Sequence, residues 1–291
     1  MRLAGFSVFL IGFVLILVPV GLGWMTLWGT THPPCSIGPE PAQVGLEAEE
    51  VSVPSRHGVA FRGYFLPGSN GATIIVPPAY GQDRGGWLHE VAVLVAGGYN
   101  VLTYDSRPCT GMSPHSLGVW ESGDILDALA YLRQRPDVDM SRIGAHGFSQ
   151  AGASALFAAA QAPEIRAVVA EGGYVDYGAQ TLGIGGPQDP VTALFSLGAR
   201  LGYRSATGMS LSQLKPLDVI AAIAPRRVLL IYGEHEVTLA GAQYAATLGA
   251  HIDLWIVSGA THGSYLTSAG QRAFTERVVG FFDAALQPVG S

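Results

Sequence analysis

The sequence predicts an α/β fold built on a mostly parallel, doubly wound sheet. Continuous apolar runs of strand length recur along the chain, and amphipathic helical patterns alternate with them. An antiparallel hairpin is expected before them, because two further runs flank the turn at His57-Gly58. The hairpin strands are residues 51–54 and 59–66, the buried runs are 73–76, 99–104, 142–145, 166–170, 228–232 and 252–257, and the helices are 87–96, 122–135, 151–161, 239–248 and 269–286.

The composition indicates a globular chain with little affinity for polyanions. Of 291 residues, 48% are hydrophobic and 13% are charged, which excludes disorder and coiled coil. The net charge is -6 and Lys215 is the single lysine of the sequence. Because no basic face is available to neutralise phosphates, nucleic acid is excluded as a partner.

The first segment is predicted to be a membrane element. Residues 3–31 carry no charged side chain, and about 20 apolar residues are enough to span a bilayer. Arg2 precedes the run, Trp24 and Trp28 are placed like interfacial anchors at its end, and the next formal positive charge is Arg56. This pattern predicts a cytoplasmic amino terminus and places the domain that follows on the extracytoplasmic side.

A cleaved signal peptide is the alternative, with Gly21 and Gly23 as the small residues before the cut and a secreted product. We favour an anchor because no A-x-A pattern is present. The predicted organisation is a membrane or signal segment at 1–31, a proline-rich linker at 32–50 and a globular α/β domain at 51–291.

Export from the cytoplasm would allow the two cysteines, Cys35 and Cys109, to form a disulfide. Disulfides persist outside the reducing cytoplasm, so a bond between them is one interpretation. We favour two separate thiols, because the sequence alone does not establish the close Cα approach that a bond requires.

The strongest chemical motif is Gly147-Phe148-Ser149-Gln150-Ala151-Gly152, which lies between a predicted strand and a predicted helix. Small residues at 147 and 151 permit a tight turn that exposes a serine hydroxyl at a helix N-terminus. Ser149 is therefore the candidate nucleophile, and a simple helix cap is the alternative.

A base and an acid are expected in later loops. His262 follows the last apolar strand and is the candidate base, in the chain order serine, acid, histidine. Glu236 is our choice of acid, with Glu234 second, because both follow the strand at 228–232. A metal site at Glu234-His235-Glu236 is disfavoured, since consecutive residues do not easily converge on one ion.

The backbone N–H groups of Tyr80 and Gln150 are the candidate oxyanion donors. Gln150 follows the nucleophile, and Tyr80 lies in the Pro-Pro-Ala-Tyr-Gly loop directly after the strand at 73–76. An ordinary proline-rich turn is the alternative for this loop.

Taken together, the hairpin, the Pro-Ala-Tyr-Gly loop, the Gly-Phe-Ser-Gln-Ala-Gly elbow, Gly-Glu-His-Glu and Ala-Thr-His-Gly resemble the α/β-hydrolase superfamily over about residues 51–286. The resemblance is greatest to its serine-aminopeptidase-like and dienelactone-hydrolase-like branches. It implies a Ser-acid-His hydrolase that acts on esters or related acyl bonds without metal or cofactor. The chain departs from the pattern at Pro78-Ala79 in place of His-Gly, at Ala151 in place of glycine, and at Glu236 in place of aspartate.

The function expected from these residues is hydrolysis of carboxylic esters through an acyl-enzyme. Residues 174–215 are predicted to form a short cap, either covering an apolar acyl or alcohol pocket or packing on the sheet. Two alternatives remain: a serine peptidase of the aminopeptidase-like type, and a catalytically inactive binding protein on the same fold.

Overall fold

The computed structural model describes the backbone of residues 2–288 and the side chains of residues 13–288. The predicted features before residue 13, Arg2 among them, therefore lie outside the described side chains. The described strands are β1 Glu49–Val53, β2 Phe61–Leu66, β3 Thr73–Val76, β4 Asn100–Tyr104, β5 Ile143–Phe148, β6 Ile165–Glu171, β7 Arg227–Gly233 and β8 Ile252–Val257. The α-helices are α1 Arg2–Thr30, α2 Leu88–Ala96, α3 Val119–Leu132, α4 Gln150–Gln161, α5 Tyr177–Leu182, α6 Pro190–Thr207, α7 Leu239–Ala246, α8 Tyr265–Ala269 and α9 Gln271–Ala285.

The strands form one sheet in the order β1-β2-β4-β3-β5-β6-β7-β8. β1 pairs antiparallel with β2, and β2 pairs antiparallel with β4. Every pair from β4 to β8 is parallel. The α/β-hydrolase fold and its amino-terminal hairpin are therefore confirmed.

Two apolar layers cover the sheet because successive side chains of a strand point to opposite faces. Ile75 packs in the layer that contains Leu156 of α4, while its neighbour Ile74 packs in the layer that contains Phe282 of α9. Both isoleucines are fully buried, and each such side chain contributes about 1.5–3 kcal/mol to folding. Burial on both faces explains why these strands appear in the sequence as continuous apolar runs.

Among the described residues, α1 is the helix long and apolar enough to cross a membrane. Its window Phe13–Thr30 has a mean hydropathy of 1.7, and 17% of the window is buried. The helix α1 does not stand apart from the rest of the protein, because its buried residues pack against another helix. Leu27 is 1% exposed in a cluster with Ala199 and Tyr203 of α6, so the end of α1 is packed against α6.

The predicted linker at 32–50 also lies on the domain. Ser36 forms a parallel bridge with Gln82, and its backbone N–H donates to the Gly81 carbonyl at 2.7 Å. The expectation of two separate thiols is wrong, because Cys35 and Cys109 form a disulfide with Cα atoms 4.8 Å apart. Only the folded chain brings these residues together, since 74 positions separate them in the sequence.

Candidate active site

Ser149 lies at a strained turn between β5 and α4. Its backbone has φ 56° and ψ -125°, a left-handed conformation that is rare for a residue with a side chain. The backbone N–H of Ser149 donates to the Glu171 carbonyl at 2.7 Å. A Cβ at Gly147 would lie 2.4 Å from the Ala151 carbonyl oxygen, so the turn requires glycine there. This geometry presents the hydroxyl of Ser149 at the carboxyl edge of the sheet.

The structure brings together the three side chains predicted for the triad. His262, in the loop after β8, places Nε2 3.0 Å from Ser149 Oγ. Its Nδ1 lies 3.1 Å from Oε2 of Glu236, which follows β7. Serine, histidine and carboxylate thus form a continuous hydrogen-bonded chain, the arrangement needed to transfer a proton from the hydroxyl.

Glu236 is held by partners that the sequence analysis did not identify. Its Oε1 accepts hydrogen bonds from the Gly233 N–H at 2.7 Å and the Tyr265 hydroxyl at 2.6 Å. Burial alone would raise the pKa of Glu236, but hydrogen bonds from His262, Tyr265 and Gly233 hold it below its ordinary value. The carboxylate is 3% exposed, so it faces His262 as a buried anion. Tyr265 lies three residues after His262, and no sequence pattern distinguished it from a core tyrosine.

Glu234, the second candidate acid, lies elsewhere. Its Oε2 accepts from the Ser258 hydroxyl and the Gly259 N–H, both at 2.9 Å. Glu234 therefore ties the end of β7 to the loop after β8, and its carboxylate is turned away from His262.

The two candidate oxyanion donors line the cavity that contains Ser149. Neither the backbone N–H of Tyr80 nor that of Gln150 has an acceptor among the described residues. The Tyr80 hydroxyl donates to the Thr30 carbonyl at 2.7 Å, which fixes the loop that carries the Tyr80 amide.

The cavity has a volume of about 250 Å³ and is largely apolar or hydroxylic. The cap contributes Tyr177 and Thr181 of α5 to its wall, and the amino-terminal helix contributes Thr30. In the predicted cap region, α5 therefore lines the cavity, whereas α6 packs against α1. The described lining contains no carboxylate.

A buried polar pair joins the neighbouring strands β5 and β6. His146 and Glu171 are 2.6 Å apart and almost completely buried. Burial and the nearby charge of Glu171 raise the pKa of Glu90, on α2, to about 8.

This shift predicts that stability falls as the pH rises. The folded-state pKa of Glu90 is about 8 against an ordinary 4.5, so the folded protein binds the extra proton between these two values. The free energy of unfolding should decrease across that window by at most about 1.4 kcal/mol per pH unit. Glu90→Gln should remove much of the decrease, as measured by urea denaturation at several pH values. Glu47→Gln, at an exposed position, is the matched control, and an unchanged slope in Glu90→Gln would contradict the prediction.

A side chain at Gly172 would collide with His262 and Tyr265. Its φ is 59°, and a Cβ there would lie 2.1 Å from the Tyr265 hydroxyl and 2.8 Å from His262 Nδ1. Gly172→Ala should lower kcat about 100-fold, because a displacement of about 1 Å at the reacting groups has that effect.

The control for this prediction is Gly259→Ala. Gly259 has a comparable φ of 68°, and nothing lies within 4 Å of its Cβ position. The Gly259→Ala variant has the same kind of backbone strain as Gly172→Ala but no steric contact. We therefore expect it to lose stability and to retain kcat. Ester turnover and thermal unfolding of both variants distinguish the two effects, and equal kcat values would show that Gly172 does not protect the triad.

Comparisons with known proteins agree with this architecture. A model of the prolyl oligopeptidase family matches residues 89–289. The thiohydrolase apmlB of Arthrinium phaeospermum is 31% identical over 133 residues, which is 42% of this chain and 42% of that protein. The polyketide transferase af380 of Aspergillus fumigatus is 31% identical over 125 residues, 39% of this chain and 41% of that protein. The chain thus matches about two fifths of the length of these relatives.

Solved structures show the same fold at low identity. The esterase Pf2001 of Pyrococcus furiosus has a TM-score of 0.69 at 20% identity, over 88% of this chain and 100% of that chain. A putative dipeptidyl aminopeptidase IV of Bacteroides ovatus has a TM-score of 0.59 at 18% identity, over 83% of this chain and 36% of that chain. With the family match covering more than half of its residues, the chain is an α/β-hydrolase that belongs to the prolyl oligopeptidase family.

Proposed function

We propose that the protein is a serine hydrolase that cleaves carboxylic esters through a Ser149-His262-Glu236 triad and an acyl-enzyme. The observation that carries this proposal is the continuous hydrogen-bonded chain from Ser149 Oγ through His262 to Glu236, with distances of 3.0 and 3.1 Å. The family match and the similarity to a thiohydrolase support acyl-transfer chemistry.

In the first half-reaction His262 Nε2 takes the hydroxyl proton as Ser149 Oγ attacks the ester carbonyl carbon. The backbone N–H groups of Tyr80 and Gln150 stabilise the oxyanion. The tetrahedral intermediate collapses, the bond to the alkoxy group breaks, and His262 gives its proton to the departing alcohol. Glu236 stabilises the imidazolium that forms between these proton transfers.

In the second half-reaction water attacks the acyl-enzyme. His262 accepts a proton from the water and returns it to Ser149 Oγ as the carboxylic acid leaves. One ester and one water are consumed, and one acid and one alcohol are produced.

The cavity lining favours ester over peptide substrates. An aminopeptidase needs an anion to bind the peptide's terminal ammonium group, and the described lining provides no carboxylate. Hydroxyl and aromatic groups are suited instead to an uncharged acyl or alcohol group.

A substrate panel with a covalent probe tests the proposal. We expect the full chain to hydrolyse p-nitrophenyl butyrate faster than an aminoacyl p-nitroanilide. A fluorophosphonate probe should label the peptide that contains Ser149, as mapped by mass spectrometry. A faster anilide reaction would favour the peptidase alternative, and a folded protein with neither labelling nor turnover would favour the binding-protein alternative.

A further inference from the structure

Exposed apolar side chains lie on both α1 and α6, two helices that pack against each other; together they are called the apolar surface. The side chains of α1 at positions 14–18 and 22 are exposed, and Leu197 and Leu201 of α6 are each 48% exposed. Leu194 is half-buried beside them. The spacing of three and four residues places these leucines on one face of α6. A face of this kind on a soluble monomer is normally covered by a partner or a membrane.

Glycines fix α6 rigidly against α1. A Cβ at Gly198 would lie 1.9 Å from the Val20 carbonyl oxygen, and one at Gly202 would lie 2.2 Å from the Trp24 carbonyl oxygen. The two helices therefore run in the same direction with their backbones in close approach, as small residues four apart permit in membrane proteins. A bilayer that surrounds α1 at the level of Val20 and Trp24 would therefore lie next to α6 as well.

Cationic groups flank the leucine face. Arg200 and Arg204 line a cavity of about 470 Å³ together with Lys215. Among the described residues, Lys215 has carboxylates within 4.0 Å, at Asp176 and Asp218, and neither arginine has one. Two arginines without an ion pair beside an apolar face complement the phosphates of anionic lipids.

The polar atoms at the start of α6 are paired. The carboxylate of Asp189 accepts hydrogen bonds from the N–H groups of Val191 and Thr192 and from the Thr192 hydroxyl. This cap satisfies donors that would otherwise be left unpaired in an apolar environment.

The apolar surface leads to the cavity that contains Ser149. Thr30, the last residue of α1, is part of the cavity wall. Tyr177 and Thr181 of α5 form another part, and residues 183–189 connect α5 to α6. Both helices of the apolar surface therefore join segments that line the cavity.

We propose that α1 and α6 together lie against a bilayer that contains anionic phospholipid, and that Ser149 takes its acyl group from an ester lipid in that bilayer. The second half of this proposal rests on the proposed function and narrows its substrate class to membrane-borne esters.

A photo-crosslinking experiment tests the surface without relying on activity. The full chain is reconstituted into phosphatidylcholine vesicles, with and without phosphatidylglycerol, that carry a phosphatidylcholine with a diazirine in its acyl chain. We expect label on residues 190–207 as well as on α1, and more label on 190–207 when phosphatidylglycerol is present. Label confined to α1 would overturn the proposal.

The double variant Leu197→Gln/Leu201→Gln tests the link to substrate. Turnover of a long-chain fluorogenic ester in vesicles should fall about tenfold, because two apolar side chains no longer enter the bilayer. Hydrolysis of p-nitrophenyl butyrate in water should be unchanged. Leu248→Gln, at an exposed leucine beyond α7, is the matched control and should change neither rate.

The outcomes separate the two proposals. An equal fall in both rates would mean that the leucines serve the fold of the catalytic domain, which overturns the membrane-surface proposal. A wild-type protein that hydrolyses neither ester contradicts the proposed function and the ester-lipid substrate with it, while the crosslinking result still decides the α6 surface.

Discussion

Ser149→Ala should abolish ester turnover, with kcat reduced by about 10⁴-fold or more. Removal of the nucleophile of a serine hydrolase eliminates the acyl-enzyme path, and only the weak effect of the remaining groups persists. The backbone of Ser149 has φ 56°, so alanine retains the strain of the turn and the fold should survive. Initial rates with p-nitrophenyl butyrate and intact-mass analysis after fluorophosphonate treatment measure the loss.

The matched control is Ser52→Ala, at an exposed serine on the edge strand β1. It should keep full turnover and full labelling. If Ser149→Ala retained labelling at another residue, the assignment of Ser149 as nucleophile would be wrong.

Glu236→Gln should lower kcat by about 10²–10⁴-fold with little change in thermal stability. Glutamine keeps an oxygen that can accept from Gly233 N–H and the Tyr265 hydroxyl, so the local structure persists. Its amide N–H₂, however, would donate to His262 Nδ1 and place the proton of the imidazole on Nε2. His262 would then present a donor to Ser149 Oγ instead of the lone pair that removes the hydroxyl proton.

Glu234→Gln provides a control two residues away. Glu234 bonds to Ser258 and Gly259 and not to His262, so kcat should remain near the wild-type value. Comparable kcat values in Glu234→Gln and Glu236→Gln would contradict the assignment of Glu236.

Most of the sheet was predictable because strands β3 to β7 are buried on both faces. The edge strand β8 is partly buried and is also mostly apolar. Burial of this kind leaves continuous apolar runs in the sequence, and the loops that follow them carry Ser149, Glu236 and His262. Local sequence patterns predict where these residues lie along the chain, but they do not predict which of them meet in space. The sequence alone therefore left Glu234 and Glu236 as alternatives for the acid.

The contacts of the amino-terminal segment were not predictable. The length of the apolar run and the number of prolines after it indicated an independent anchor and a linker. Both are properties of the segment itself, so they carry no information about its contacts with the rest of the chain. In the structure Leu27 is buried beside α6, Thr30 lines the cavity, and Cys35 bonds to Cys109. Each of these contacts joins residues that are at least 50 positions apart along the chain.

The sequence by itself therefore determined the fold class and the loops in which a hydrolase site was expected, since both follow from hydrophobic periodicity and local turn chemistry. The tertiary structure decided which glutamate faces His262, that Tyr265 supports it, and that α1 forms part of the cavity. The physical reason is that these features depend on packing between segments that are distant in the sequence. Such segments come into contact only in the folded chain.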